Sequence, residues 1–256
     1  MKQAVSYYWK NVMVSFLITF VTMVAIVLFT GIFLERNQPE PIEYSQSISV
    51  TIDYSYSVSG FEVAYMIFML IWGITAFRAP FYFFQQNAIT RKIQYAAWGI
   101  AAVGIALLES LLCIACGRLS GTLFHYESVF NQMYESSLLS FGEGSIILQE
   151  ILWNFSFFLL MGCAGFAIAL LYYRLSKIGK VLVSVLVPGF LFVLLPMADK
   201  PLLKGGYTWL LEKAAILFSG YTPTGVQIML PVLTTLVCSI LLGCAGWLMI
   251  RRAEIR

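Results

Sequence analysis

Six long apolar runs divide the chain, and polar or charged segments separate them. The runs cover about residues 12–34, 61–77, 93–117, 145–173, 181–197 and 228–250. A helix rises about 1.5 Å per residue, so roughly 20 residues cross a hydrocarbon layer of about 30 Å. The pattern predicts an all-α membrane protein, with six transmembrane helices in a single transmembrane domain spanning residues 1–256. The fifth run is short, and Pro188 and Pro196 interrupt it.

The segments between the runs differ in character. Met1–Asn11 carries Tyr7, Tyr8 and Trp9 beside Lys2 and Lys10, a composition suited to a helix or turn at a headgroup boundary. The run after it is too long for a signal h-region and is read as a first span. Residues 35–60 form a loop whose second half alternates strictly. Ile48, Val50, Ile52, Tyr54, Tyr56 and Val58 fall on one face, and Ser and Thr with Asp53 fall on the other. That is a period-two strand pattern over 45–58, and a lone strand needs a pairing partner.

Composition agrees with the pattern. Hydrophobic residues make up 60% of the chain and charged residues 11%, with a mean hydropathy of +0.82. A soluble domain of this size could not bury so much apolar surface. Cationic residues set the orientation. With the N-terminus inside, eleven Lys and Arg fall on the inner side (Lys2, Lys10, Arg78, Arg91, Lys92, Arg174, Lys177, Lys180, Arg251, Arg252 and Arg256). Five fall outside: Arg36, Arg118, Lys200, Lys204 and Lys213. The positive-inside bias therefore places both termini in the cytoplasm. The basic clusters are too short for nucleic-acid binding.

No catalytic constellation is legible. The sequence has no GxSxG, HExxH or P-loop pattern and no paired-carboxylate motif. His125, the single histidine, has no Cys or Asp partner in a motif and reads as a surface residue. The five cysteines lie in apolar runs and read as packing residues. Cys113 and Cys116 have metal spacing, but no histidine or second pair lies nearby. No catalytic residue, metal site or cofactor is expected on this chain.

Three carboxylates, Glu62, Glu109 and Glu150, lie in or at the edge of spans, each toward the outer half. Ionisable groups at such depth face the bundle interior or water. They are candidates for a polar patch along a substrate path. For Glu62 and Glu150 a snorkelling carboxylate at the boundary is the simpler reading.

Between the second and third runs lies a short polar, basic insert, 79–92. Phe81, Tyr82, Phe83 and Phe84 would hold it against lipid or the bundle. Gln85, Gln86, Asn87, Thr90, Arg91 and Lys92 would be left for contact, with Asn87 or Thr90 able to cap a helix. The stretch Gln86-Asn87-Ala88-Ile89-Thr90-Arg91-Lys92 resembles the first cytoplasmic loop of permease subunits of bacterial type-2 ATP-binding-cassette exporters. In those, an amide-rich step and [Ser/Thr]-Arg-Lys precede the third span. Tyr207–Ser219, flanked by Gly205, Gly206 and Gly220, resembles their re-entrant outer helices between spans five and six.

The resemblance implies a short cytoplasmic coupling helix at 79–92 gripped by a separate ATPase subunit. It implies two copies of that ATPase carrying ATP and Mg, and a second permease copy or a paralogue completing the pathway. The implied location is the bacterial cytoplasmic membrane. The implied cargo is amphipathic or hydrophobic, of the kind carried by the small six-span antimicrobial-peptide exporters. The strand-like outer loop is larger than that class leads one to expect. Two other functions fit a six-span chain: a non-transporting immunity or sensor subunit, and an ATP-independent secondary transporter.

Overall fold

The computed structural model describes residues 2–36, 59–124, 126–138, 142–199, 205–223 and 225–251. The strand-like alternation at 45–58 and His125 lie outside the described residues.

Six helical segments are long and apolar enough to cross a membrane. The first, α1 (Lys2–Arg36), absorbs the N-terminal segment: 2–11 run straight into the span instead of forming a separate element at the boundary. A stripe at helical spacing, Ala4, Tyr8, Val12, Phe16 and Val27, faces the bundle. The opposite face, with Val14, Leu17, Ile18, Val21 and Phe29, is exposed, as suits contact with lipid tails.

Helix α2 (Phe61–Gln86) is nine residues longer than the apolar run predicts and passes through Pro80 without ending. Residues 79–86 are therefore its last turns, and the expected separate coupling helix is absent. The reason is aromatic burial. Phe77, Phe81 and Phe84 are almost fully buried, and Phe77 and Phe81 pack edge-on against Tyr173. Those contacts continue the helix past the charged Arg78 step.

Helices α3 (Arg91–Gly121), α4 (Val129–Leu138) and α5 (Glu143–Arg174) follow. Neither the length nor the polarity of 118–144 announced α4. Its Phe130 and Tyr134 bury against Trp153 of α5, which supplies the core that a ten-residue helix lacks by itself.

The fifth span, Lys177–Asp199, runs as α6 (Lys177–Gly189), a π-helical stretch (Phe190–Leu194) and α7 (Leu195–Asp199). The prolines predicted an interruption. The chain absorbs it by one wide turn between Pro188 and Pro196, where each missing N–H already breaks the hydrogen-bond ladder. No residue in the apolar window of this span is buried.

Helix α8 (Gly206–Ser219) lies where the sequence placed a helix between the fifth and sixth spans. Left-handed glycines, Gly205 and Gly220, bound it. Asp199 accepts the backbone N–H groups of Tyr207 (2.8 Å) and Thr208 (3.2 Å) and the Thr208 hydroxyl, so it caps this helix. A two-residue hairpin, β1 (Tyr221–Thr222) with β2 (Gly225–Val226), leads into α9 (Met229–Arg251).

Helix α5 is central and packs on α2, α3 and α9. Its closest approach is to α2, where Gly73 meets Gly162 and Gly165 backbone to backbone. A Cβ on Gly73 would collide with the Gly162 carbonyl oxygen, and one on Gly165 with the Leu70 carbonyl oxygen. Small residues permit this in a membrane, where packing replaces the hydrophobic drive between helices. By contrast, a Cβ on Gly99 would meet nothing within 4 Å. Gly165→Leu should destabilise the chain by at least about 2 kcal/mol, seen as a lower Tm in detergent, while Gly99→Ala leaves Tm unchanged or slightly raised.

Candidate functional site

Two groups of sequence-predicted residues lie at opposite ends of the bundle. At one end is the α2–α3 turn. Helix α2 closes with the Ile89 N–H donating to the Phe84 carbonyl (2.9 Å) and the Ala88 N–H to the Gln85 carbonyl (3.1 Å). This is the two-bond helix terminus that calls for a left-handed residue, and Ala88 fills it at φ 54°. The Asn87 side-chain amide donates to the Phe83 carbonyl at 2.7 Å, adding a further bond. The Thr90 hydroxyl accepts the Ile93 N–H and so caps α3.

Four of the six expected contact residues, Gln86, Asn87, Thr90 and Lys92, are exposed here. Gln85 is half-buried. Arg91 is occupied: its guanidinium donates to the Arg251 carbonyl at 2.8 Å, a cation on the C-terminus of α9. Sequence reasoning had left Arg91 free, because nothing in a linear reading shows that α9 ends beside α3.

The N-terminus of α1 packs beside this turn. Tyr7 stacks on Phe83 with ring centroids 4.6 Å apart and planes 9° apart. A groove of about 840 Å³ lies between them, edged by Lys2, Lys10, Asn87 and Ile89.

At the other end, the three carboxylates predicted from sequence come together. Glu62 starts α2, Glu109 sits in the far half of α3, and Glu150 lies two turns into α5. All three are close enough to the Cys113 thiol to act on it electrostatically. They are also buried: Glu62 is 1% exposed, Glu109 0% and Glu150 4%. The boundary, snorkelling reading of Glu62 and Glu150 is thereby corrected. Tyr126 and the start of α4 lie against Glu62, which the sequence did not disclose.

The three are not equally served. Glu62 accepts the Tyr126 hydroxyl (3.3 Å) and the Val129 N–H (3.1 Å), so it anchors the N-terminus of α4. Burial, and next the Glu62 charge, push the Tyr126 phenol up, which keeps it a donor. Glu150 lies near Ser128 and Arg118. Glu109 has no partner for either carboxylate oxygen. Asn154, fully buried one turn inward from Glu150, has none for either amide atom, and the Tyr65 hydroxyl has none. Ser110, next to Glu109, donates to the Ile151 carbonyl at 2.8 Å and pins α3 to α5 at this level.

Above this layer opens a cleft of about 690 Å³, lined by Cys113, Arg118, Tyr126, Ser128, Glu143 and Glu150 among others. Among the described residues no group of three or more His, Cys, Asp or Glu is arranged to hold a metal ion. The chain matches no family model, no characterised protein and no solved structure.

Glu62 makes a specific claim on stability. Glu62→Leu leaves the Val129 N–H and Tyr126 hydroxyl unpaired and should cost about 1–3 kcal/mol. Glu62→Gln, whose amide oxygen still accepts, should cost less. Thermal unfolding, with proteolysis of the 122–128 loop as a local probe, measures both.

Proposed function

We propose that this chain is the transmembrane subunit of an ATP-driven exporter of the ATP-binding-cassette type, moving an amphipathic or hydrophobic cargo. The observation that carries the proposal is the α2–α3 turn. Two long helices meet there in a turn braced by three backbone-directed bonds and a threonine cap, with Gln86, Asn87, Thr90 and Lys92 facing outward. A partner that grips the turn moves both helices, because neither end has slack. The handle is the turn itself, in place of a separate coupling helix.

In this reading the turn faces the cytoplasm, and the ATPase, in two copies with ATP and Mg, supplies the energy. A second permease copy, identical or paralogous, completes the pathway in the bacterial cytoplasmic membrane. The unburied fifth span and the outer face of α1 leave apolar surface for that copy and for lipid. The carboxylate end then opens to the outside, which agrees with the distribution of Lys and Arg.

One observation favours a second reading. A membrane-buried carboxylate without a partner, Glu109, is what an ATP-independent secondary transporter uses as an ion relay. Cargo movement in liposomes without ATP or any added subunit would establish that reading in place of the first.

The deciding experiment is co-purification with a P-loop ATPase subunit, sought first in the adjacent reading frame. Arg91→Glu with Lys92→Glu should abolish association. Because Arg91 also holds α9 and Asn87 also braces the turn, Lys92→Glu with Gln86→Ala is the cleaner pair. It should weaken association at least about tenfold with Tm unchanged. Association indifferent to both pairs would refute the exporter reading.

A further inference from the structure

We propose that the groove between the first turns of α1 and the α2–α3 turn is a binding site for an anionic phospholipid. Lys2 and Lys10 hold its phosphate, and its acyl chains run along the outward face of α1.

Charge is the first argument. Lys2, Gln3, Ser6 and Lys10 edge the groove from α1, and no carboxylate is among its lining residues. The three helices that build it keep their acids away from it. Helices α1, α2 and α3 have one each, Glu35, Glu62 and Glu109, and each lies in the half of its helix away from the groove. Two cations that face one groove without a counter-charge in it attract an anion. Gln3 and Ser6, both exposed, add neutral hydrogen-bond donors.

The second argument is the pattern along α1, and it points to a lipid. Lys2, Ser6, Lys10, Val14, Leu17 and Val21 follow one another at steps of three or four residues, so they share one face of the helix. All six are exposed. The face is cationic and polar as far as Lys10 and apolar from Val14 onward, where the side chains suit acyl chains. A charged head joined to a hydrocarbon tail matches both halves of this face. A soluble phosphate or an acidic peptide matches only the first.

Size and wall agree. About 840 Å³ is far more than a phosphate ion requires and is in the range of organic ligands. Tyr7 stacked on Phe83 forms part of the wall, the amphipathic kind of surface found at headgroup level. A lipid seated there touches α1 on one side and Asn87 and Ile89 of the turn on the other, so it ties the two together. None of this rests on the exporter reading, and the test needs the chain alone.

The test uses the whole chain in a neutral detergent. Dioleoyl phosphatidylglycerol, dioleoyl phosphatidylcholine, glycerol phosphate and an oligoglutamate peptide are titrated in turn, with Tm and native mass spectrometry as readouts. Phosphatidylglycerol should bind saturably, raise Tm by about 3 °C, and bind about tenfold more tightly than phosphatidylcholine. Lys2→Gln with Lys10→Gln should erase that preference. Both lysines are exposed, so the pair keeps the fold. Lys2→Arg with Lys10→Arg should retain the preference, because a guanidinium also takes a phosphate. Lys177→Gln with Lys180→Gln, which removes the same charge from another exposed segment, should leave it intact. Equal binding of the two lipids, or a preference that survives the first pair or falls equally with the last, overturns the proposal. So does glycerol phosphate or oligoglutamate binding as tightly as phosphatidylglycerol, which would make the groove a site for soluble anions or for an acidic peptide.

Discussion

The contact between Gly73 on α2 and the Gly162/Gly165 pair on α5 sets the geometry of the rest. In hydrocarbon, helices are not pushed together by water, so close backbone contact and interhelical hydrogen bonds must do that work. Once these glycines interlock, the two helices cannot slide. Tyr65 then falls level with Phe158, and Phe77 with Phe166 and Tyr173. The same register carries Glu62 to the level of the α5 stretch that holds Glu150 and Asn154.

The two ends of the bundle treat polar groups in opposite ways. At the α2–α3 turn, the Asn87 amide, the Thr90 hydroxyl and the Arg91 guanidinium each hold a nearby backbone group. Side chains spent on backbone make a rigid corner. At the other end Glu62 has partners in Tyr126 and the start of α4. The first end is held together by polar bonds, and at the second the deepest carboxylate is left without one.

Between these ends the fifth span stands apart. It meets the bundle through polar bonds, Tyr172 with Ser184 and the Tyr207 hydroxyl with the Leu191 carbonyl, and buries none of its apolar window. Its π-helical stretch sits between two prolines, where the ladder is already open. Little internal packing therefore resists its movement against the other helices.

The sequence by itself determined the number of spans, and their positions to within a few residues for four of the six, because about 20 unbroken apolar residues have few other uses. By resemblance it also placed a helix at 207–219 between glycines, and it offered Asn87 or Thr90 as a cap, a signal that is local. It stopped α2 nine residues short, because Arg78 and Pro80 look like an end until Tyr173 is seen packing on Phe81. Only the tertiary structure decided that Arg91 is bound to α9, that α4 is anchored on Glu62, and that Glu62, Glu109 and Glu150 are all buried. The first two of those facts join residues 160 and 67 positions apart. The spacing within one helix says nothing about which face of another helix it will meet; that is set by where glycine lets two backbones touch.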